Sequence, residues 1–213
     1  MIQLTGQFVP VKVNAEKEGK EVARKYGVRG FPTILFVNGQ GEVEGKIGGY
    51  MPPGPFSDRL KQIAAAHREL PALEARARSN PRDVRTAAKL AGIYAGQGKE
   101  NKAAGMLARA EKSDPRNASG HLADAYNAVA DLYQERRQFD KAIPLFRKAA
   151  RVGKQPDDIG YAHLSIAVCY LSQNDTRSAI PELKATLAVP NVPREMRDQA
   201  QRILDQINKR DTP

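Results

Sequence analysis

The feature that most constrains this chain is a pattern of tyrosine and alanine that recurs three times in its C-terminal two thirds. In each copy an alanine lies nine residues after the tyrosine, a large apolar residue follows that alanine by four, and another alanine precedes the tyrosine by three. A pattern that recurs at a nearly fixed spacing indicates an architecture of repeated structural units. The three copies are Ala91, Tyr94, Ala103 and Leu107; Ala130, Tyr133, Ala142 and Phe146; and Ala167, Tyr170, Ala179 and Leu183.

These positions resemble the tetratricopeptide repeat, and the resemblance implies an all-α superhelix of stacked helix pairs over residues 70–209. In that family small residues lie where two helices approach closely, and large residues fill the space in the next pair. The tyrosines are 39 and 37 residues apart, which is longer than the family's usual repeat of about 34 residues. We therefore expect the turns at 117–120 and 153–158 to contain the extra residues. The predicted elements are the second helix of a degenerate unit at 70–79, repeat units at about 84–115, 123–152 and 160–190, and a capping helix at 194–209.

In this family the first helix of each pair lines a concave face that binds peptides or partner proteins. The repeat register predicts a mixed surface there, basic at one end, acidic and amide in the middle, and apolar at the other. A clamp for a C-terminal carboxylate is disfavoured, because only Lys89 and Asn127 could serve in it and Asp131 would repel the ligand. The resemblance thus implies a protein or peptide partner bound on this face. The residues predicted to line it are Arg85, Lys89, Asp124, Asn127, Asp131, Gln134, Tyr161, Leu164 and Val168.

The first 67 residues follow a different pattern, in which short β-branched runs alternate with helical segments. An Asn-Gly-Gln-Gly turn at 38–41 contains residues that tolerate positive φ, so it should reverse the chain between two strands. Apolar residues at helical spacing predict a helix on either side of the strand region. The predicted elements are strands at 8–13, 33–37 and 42–47 and helices at 16–26 and 56–68.

This order of elements resembles the C-terminal half of the thioredoxin fold. The most specific part is the run Tyr-Gly-Val-Arg-Gly-Phe-Pro-Thr at 26–33, with Gly-Gly-Tyr at 48–50 downstream. The resemblance implies a cis peptide bond between Phe31 and Pro32, which agrees with the tight turn that such a bond requires. Two roles stay open for the loop of Phe31, Pro32 and Thr33. It docks an extended substrate backbone, or it shapes the edge of the sheet, which we favour.

The redox centre of that family is missing from this chain. The family's first strands and its Cys-x-x-Cys helix precede the segment that begins here at Phe8, and the chain has a single cysteine, Cys169. Dithiol exchange needs a second thiol to resolve the mixed disulfide, so this chain is not expected to act as an enzyme by itself. We expect Cys169 to be a buried, inert thiol on a core-facing helix. No cofactor is expected.

Three explanations account for the missing part of the fold. Met1 is an internal methionine of a longer gene, the chain is an expressed fragment, or the domain has closed up around the gap. The first is favoured, because Met1 falls inside a fold. Residues 1–7 show no signal peptide, so the chain as written is expected in the cytoplasm, whereas a longer parent is compatible with an extracytoplasmic location.

Composition disfavours several other function classes. The net charge is +10, but the excess is spread thinly, and aromatic residues make up only 6% of the chain with no tryptophan, so nucleic-acid binding is not expected. No apolar run is long enough to span a membrane. The three histidines, His67, His121 and His163, lie in separate predicted elements, so no metal site is expected.

The predicted fold is therefore mostly helical: a partial α+β thioredoxin-like fold over residues 1–67, followed by the all-α repeat superhelix. The favoured function is that of a scaffold for protein interaction, with a peptide-binding groove on the repeats and a redox-silent thioredoxin-like segment. The alternative is a truncated thiol-disulfide oxidoreductase whose dithiol lies upstream of Met1 and whose repeats position the substrate.

Overall fold

The computed structural model describes residues 6, 8–28 and 30–210. The chain divides into two compact units, which we call the N-terminal unit and the helical unit. The N-terminal unit comprises residues 1–74 with 96–98, and the helical unit comprises residues 75–95 with 99–213.

The N-terminal unit is built around a β-hairpin. Strand β1 (Thr33–Val37) pairs antiparallel with strand β2 (Val43–Gly48). The side chain of Asn38 stabilises the turn between them, because its Oδ1 accepts hydrogen bonds from the backbone N–H groups of Gln40 and Glu42, each at 3.0 Å. The hairpin predicted from the Asn-Gly-Gln-Gly turn is confirmed.

One face of this hairpin packs against helix α2 (Pro53–Ser79). A Cβ atom at Gly45 would lie 2.7 Å from the Ile63 side chain, so glycine at this position lets the helix approach the strand closely. The ring of Phe8 adds an edge-to-face contact, with its centroid 5.2 Å from that of Phe36. The buried core residues of this unit are Phe36, Ile47, Leu60 and Ile63.

The strand predicted at 8–13 is wrong. Among the described residues β1 pairs with β2 in a two-stranded sheet, and residues 8–13 are in neither strand. Val9 and Val11 are 90% and 77% exposed. Alternating valines favour an extended chain, but a strand also needs a hydrogen-bonded neighbour for its backbone groups, and the sequence pattern does not report one.

The helices of the N-terminal unit differ from expectation in length. The helix predicted at 16–26 is the shorter helix α1 (Lys20–Lys25). It begins late because the carbonyl of Asn14 accepts a hydrogen bond from the N–H of Gly19 at 2.9 Å, which holds the preceding residues in a turn.

Helix α2 is longer than expected. The sequence predicts separate helices at 56–68 and 70–79, whereas the structure has one helix that continues through Pro71. A proline inside a helix removes one backbone hydrogen bond. The alanine, leucine and glutamate residues around it favour helix strongly enough to keep the segment continuous.

The rest of the chain forms consecutive helices: α3 (Val84–Gly96), α4 (Glu100–Ser113), α5 (Leu122–Glu135), α6 (Phe139–Val152), α7 (Pro156–Leu171), α8 (Thr176–Ala188) and α9 (Arg194–Arg210). Helix α5 packs on α6 and α7 on α8, and α6 packs on α7. Helix α7 also contacts α5 and α9, so the first helices of successive pairs lie side by side. Within the described part of the chain, no helix is both long and apolar enough to cross a membrane.

The residues that define the repeat lie at the centre of this packing. Leu107, Phe146 and Leu183, predicted to fill the space between pairs, are 5%, 0% and 0% exposed. The predicted stack of helix pairs is confirmed. The alanines predicted at the close helix contacts are all 0% exposed: Ala91, Ala103, Ala130, Ala142, Ala167 and Ala179.

The extra residues of the long repeats lie in two different places. Residues 114–121 between α4 and α5 form the predicted long loop. The second expected position, 153–158, is wrong in part, because Pro156 already begins α7 and only residues 153–155 link it to α6. The remaining surplus lengthens the first helix, since α7 has 16 residues and α5 has 14.

Helix α9 packs on the last helix pair. It lies where the capping helix was predicted, and its apolar side chains join those of α7 and α8 in one cluster. Arrays of this kind need such a helix, because the last pair otherwise exposes its apolar face. The buried members of the cluster are Leu164, Ala167, Ala179, Leu183, Ala200, Leu204 and Ile207.

Candidate functional site

Two adjoining depressions lie on the side of the helical unit formed by the first helices. We call the first the basic depression; its volume is about 430 Å³, and it lies between α3 and α5. Its charged residues are Arg85 and Lys89 from α3 and Asp124 from α5, with His121 just before α5. The remaining residues that line it are Ala88, Gly92, Ile93, Ala125 and Ala128.

The second, which we call the acidic depression, has a volume of about 280 Å³ and lies between α5, α7 and α9. It shares Asp124 and Ala128 with the basic depression. The two therefore form one continuous groove whose charge changes sign along its length. The residues that line the acidic depression are Asp124, Asn127, Ala128, Asp131, Asp157, Asp158, Tyr161 and Met196.

The structure brings together most of the residues predicted for the concave face. Arg85, Lys89, Asp124, Asn127, Asp131 and Tyr161 all line one or both depressions. Gln134, one turn beyond Asp131, lines neither. Leu164 was predicted at an apolar end of the face, but it is 6% exposed and belongs to the core cluster, because α8 and α9 cover that side of α7.

Tyr161 and Asp131 both line the acidic depression and are joined by a hydrogen bond. The Tyr161 hydroxyl donates a hydrogen bond to Oδ1 of Asp131 at 2.8 Å, and its ring meets Phe146 edge-to-face with centroids 6.4 Å apart. Burial, and then the negative charge of Asp131, raise the pKa of the Tyr161 hydroxyl, so it stays protonated and remains a donor. This contact holds α5 and α7 together across the groove.

Asn127 lines the same depression, and only one end of its side-chain amide has a hydrogen-bond partner among the described residues. Its Nδ2 donates a hydrogen bond to the backbone carbonyl of Asp158 at 3.1 Å, while its Oδ1 finds no hydrogen-bond partner among the described residues. The side chain is 6% exposed. A buried amide oxygen without a donor is unfavourable, and native proteins rarely leave one in this state.

The carboxyl groups of the acidic depression repel one another. Partial burial raises the pKa of Asp158 above its ordinary value, and the neighbouring carboxyls of Asp124 and Asp157 raise it further. An interaction with the Asp124 carboxyl that favours the protonated form of Asp158 contributes to this raised pKa. Asp158 therefore gives up its proton less readily than an ordinary carboxyl group.

Sequence reasoning missed the polar lining residues His121, Asp157 and Asp158 and the apolar or small ones Ala88, Gly92, Ile93, Ala125, Ala128 and Met196. Asp157 and Asp158 lie in the first turn of α7, and the repeat register was started later, at residue 160. A helix start at Pro156, which the proline itself signals, would have placed both acids on the groove side. Met196 could not be found in this way, because its position depends on how α9 packs.

The loop predicted from the thioredoxin resemblance lies in the N-terminal unit. The Phe31–Pro32 peptide bond is cis, as predicted. Thr33 Oγ1 donates a hydrogen bond to the Gly30 carbonyl at 2.7 Å, and the N–H of Gly49 donates to the Pro32 carbonyl at 2.8 Å. Phe31 is 63% exposed, so the loop presents an aromatic side chain to solvent.

Cys169 is buried in α7 with 0% exposure. Burial, and to a smaller extent the charge of Asp131, raise the pKa of its thiol to about 11. The thiolate is the nucleophile in cysteine chemistry, and at neutral pH this thiol is protonated and shielded from solvent.

Comparison with known families agrees with both resemblances. Residues 2–64 match the family model of a thioredoxin-like domain, and residues 125–159 match that of a tetratricopeptide repeat. The chain thus has a thioredoxin-like segment followed by tetratricopeptide repeats, and these repeats support a role in protein interaction. No curated protein matches the sequence significantly.

The chain also shows similarity to several solved structures. The N-terminal domain of stress-induced protein-1 (STI-1) from C. elegans is 21% identical and covers 56% of this chain and 92% of its own, with a TM-score of 0.47. MamA (MSR-1, C2) is 20% identical and covers 65% of this chain and 71% of its own, also with a TM-score of 0.47. A mutant form of MamA is 22% identical and covers 61% of this chain and 70% of its own, with a TM-score of 0.46.

Proposed function

We propose that this protein is an interaction scaffold whose helical unit binds an extended segment of a partner protein in the groove formed by the two depressions. The observation that carries the proposal is the continuity of the groove, in which residues predicted independently from the repeat register line both depressions. Ligand sites prefer concave surfaces with a few convergent polar groups, and this groove has both properties. Its change of charge favours one orientation of the bound segment.

Substitution at the shared part of the groove tests this function. Peptides selected from a random displayed library against the full chain should bind wild type and lose at least about tenfold in affinity for Asp124→Trp, because Asp124 is exposed and a bulky side chain there fills both depressions. Fluorescence anisotropy measures the affinity. The matched control is Asp140→Trp, since Asp140 is also an exposed acid in the first turn of a helix but lies on α6. Equal binding to the two variants would refute the proposal.

We also propose that the thioredoxin-like segment is redox-silent in this chain and acts as a structural or binding element. The support is the state of the one thiol, which is buried and protonated at neutral pH. The exposed Phe31, Pro32 and Thr33 loop is then a surface for contact with a partner, and we assign it no part in thiol exchange.

The thiol chemistry of the folded chain checks this second proposal. Cys169 should react with a thiol-specific disulfide reagent at least about a hundredfold more slowly in native protein than in denaturant, because reaction requires exposure of the thiolate. The chain should also fail to catalyse the reduction of insulin by dithiothreitol. Catalysis at a rate above that of Cys169→Ala would refute redox silence, because it would show that the thiol of this chain takes part in exchange.

A further inference from the structure

The charge of the acidic depression is not balanced by its own walls. Four carboxyl groups line it, from Asp124 and Asp131 on α5 and from Asp157 and Asp158 on α7, and none of the described residues lining it is lysine or arginine. The chain as a whole has a net charge of +10, so cations for local pairing are abundant elsewhere in the sequence. An acidic concavity in a basic protein favours a cationic ligand.

Asn127 is a second, independent sign that a donor is missing. Its side chain lines the depression, is only 6% exposed, and has an Oδ1 without a partner among the described residues. The other end of the amide is occupied by the carbonyl of Asp158, so the oxygen cannot be satisfied by turning the group without losing that bond. An N–H or O–H group of a ligand would satisfy this vacant acceptor.

Helix stability alone does not account for this arrangement. Asp124, Asp157 and Asp158 each lie in the first turn of a helix, where a carboxylate interacts favourably with the helix dipole. Asp131 lies in the C-terminal half of α5, away from the first turn, so the helix dipole does not stabilise its charge. Nor does the dipole explain why the amide of Asn127 is buried with its acceptor unpaired.

The size and walls of the depression favour a side chain as the ligand. Its volume of about 280 Å³ is at the lower end of the range for whole small-molecule sites. Met196 and the ring of Tyr161 supply an apolar wall for an aliphatic stem, and an aromatic ring also attracts a cation. Among the described residues, no group of three or more acidic, histidine or cysteine side chains is placed to hold a metal ion.

We infer that the acidic depression binds the lysine or arginine side chain of a partner protein, with its cationic head among Asp131, Asp157 and Asp158 and one N–H donating to Oδ1 of Asn127. This inference rests on the proposed function, because it identifies the chemistry of the segment that the groove accepts. The partner therefore presents a basic residue at the α5–α7–α9 end of the groove.

Short peptides that differ in one charge test the inference. The probes are N-acetylated, C-amidated alanine pentapeptides with a central lysine or norleucine, and a second pair with arginine or citrulline. NMR titration of the isotope-labelled full chain in low salt should show a charged peptide binding about threefold to tenfold more tightly than its neutral partner, with shifts centred on the amides of residues 127–131 and 157–161.

Conservative variants assign the effect to the depression. Asp131→Asn keeps an acceptor for Tyr161 and removes one charge, and Asp157→Asn removes a second, exposed charge without touching the core. The double variant should abolish the preference for the charged peptide, while Asp140→Asn on α6 should leave it unchanged. If the double variant proves unstable, Asp157→Asn alone is measured, and it should reduce the preference for the charged peptide.

Three results would overturn the inference: equal binding of charged and neutral peptides, a preference that survives the double variant, or binding of Ca²⁺ or Mg²⁺ in place of the peptides. A failure of this inference can be distinguished from a failure of the proposed peptide-binding function. Library peptides that lose affinity for Asp124→Trp but bind the double variant at full strength would leave the proposed function intact and exclude the basic side chain.

Discussion

Asn117 ties the long loop between α4 and α5 to the helices around it. The side chain is 0% exposed; its Oδ1 accepts a hydrogen bond from the N–H of Leu122 at 2.9 Å, and its Nδ2 donates to the carbonyl of Val152 at 3.0 Å. Its φ of +51° is a conformation that asparagine tolerates better than most residues. One side chain thus provides hydrogen-bond partners for a backbone N–H at the start of α5 and for a backbone carbonyl at the end of α6.

Replacing Asn117 should therefore be costly. Asn117→Ala leaves the buried N–H of Leu122 and the partly buried carbonyl of Val152 without this partner, and we expect a loss of about 2–4 kcal/mol in the free energy of unfolding. Urea denaturation followed by circular dichroism measures the change. Asn101→Ala, at an exposed asparagine of α4, is the control and should alter stability by less than about 0.5 kcal/mol. A loss as small as that of the control would show that the two hydrogen bonds contribute little.

The groove contains the other residue-scale result. The repeat register correctly identified Asp124, Asn127, Asp131 and Tyr161 as neighbours on one surface, because residues three and four apart on a helix share a face. It could not show that the amide of Asn127 lacks a donor. That property depends on Asp158, which is 31 residues away and contacts it only because α7 lies beside α5.

At the scale of elements, the turn inside each helix pair has the same geometry in all three repeats. The carbonyl of the repeat tyrosine accepts a hydrogen bond from the N–H five residues later, at 2.8–2.9 Å. The residue four positions after the tyrosine has positive φ in every case, as in common glycine-type helix ends. Those residues are Gly98 (+72°), Arg137 (+59°) and Asn174 (+60°).

Arg137 differs from Gly98 and Asn174 because arginine is not a residue type that readily adopts positive φ. The left-handed conformation costs about 1–2 kcal/mol for a residue with a Cβ atom, partly offset in glycine by about 0.5–1 kcal/mol of backbone entropy. Arg137→Gly should raise the free energy of unfolding by up to about 1 kcal/mol, seen as a higher melting temperature in calorimetry.

Arg137→Ala is the matched comparison for that change. It removes the same side chain, including its contact with the ring of Phe139 at 5.7 Å, but keeps a Cβ atom in the left-handed region. The glycine variant should be more stable than the alanine variant. If the two are equally stable, backbone strain at this turn is negligible.

At the scale of the whole molecule, the helical unit behaves as a stack in which each pair contacts its neighbours. Such arrays gain stability from contacts between neighbouring repeats, so a destabilising substitution at one end lowers the local stability of that end most. The cluster between α7, α8 and α9 closes the C-terminal end, and Leu204 of α9 is 8% exposed within it.

Leu204→Ala should therefore loosen one end of the array before the rest. We expect a loss of about 2–4 kcal/mol from the cavity, together with faster hydrogen exchange in α8 and α9 and nearly unchanged exchange in α5. Hydrogen-exchange mass spectrometry with peptide resolution measures both. Arg202→Ala, at an exposed site on the same helix, is the control. A uniform loss of protection along the helical unit would show that it unfolds as a single cooperative block.

The sequence by itself determined the helix pairs, the turn of the hairpin and the cis proline loop. These three features depend on residue types at short spacings. Alanines lie where helices cross, asparagine and glycine lie where the chain reverses direction in the hairpin, and an aromatic residue precedes the proline of the cis loop. Because such preferences act locally, they can be read from the order of residues alone. The thioredoxin-like and repeat resemblances depend on the same local patterns.

Only the tertiary structure decided whether residues 8–13 form a strand and which side chains surround the acidic depression. Both outcomes depend on neighbours far away in sequence: a hydrogen-bonded partner for a strand, and α7 and α9 lining one depression together with α5. Asp157 and Asp158 look like ordinary helix-start acids in the sequence. They become part of the acidic depression because packing places them on the same surface as Asp131.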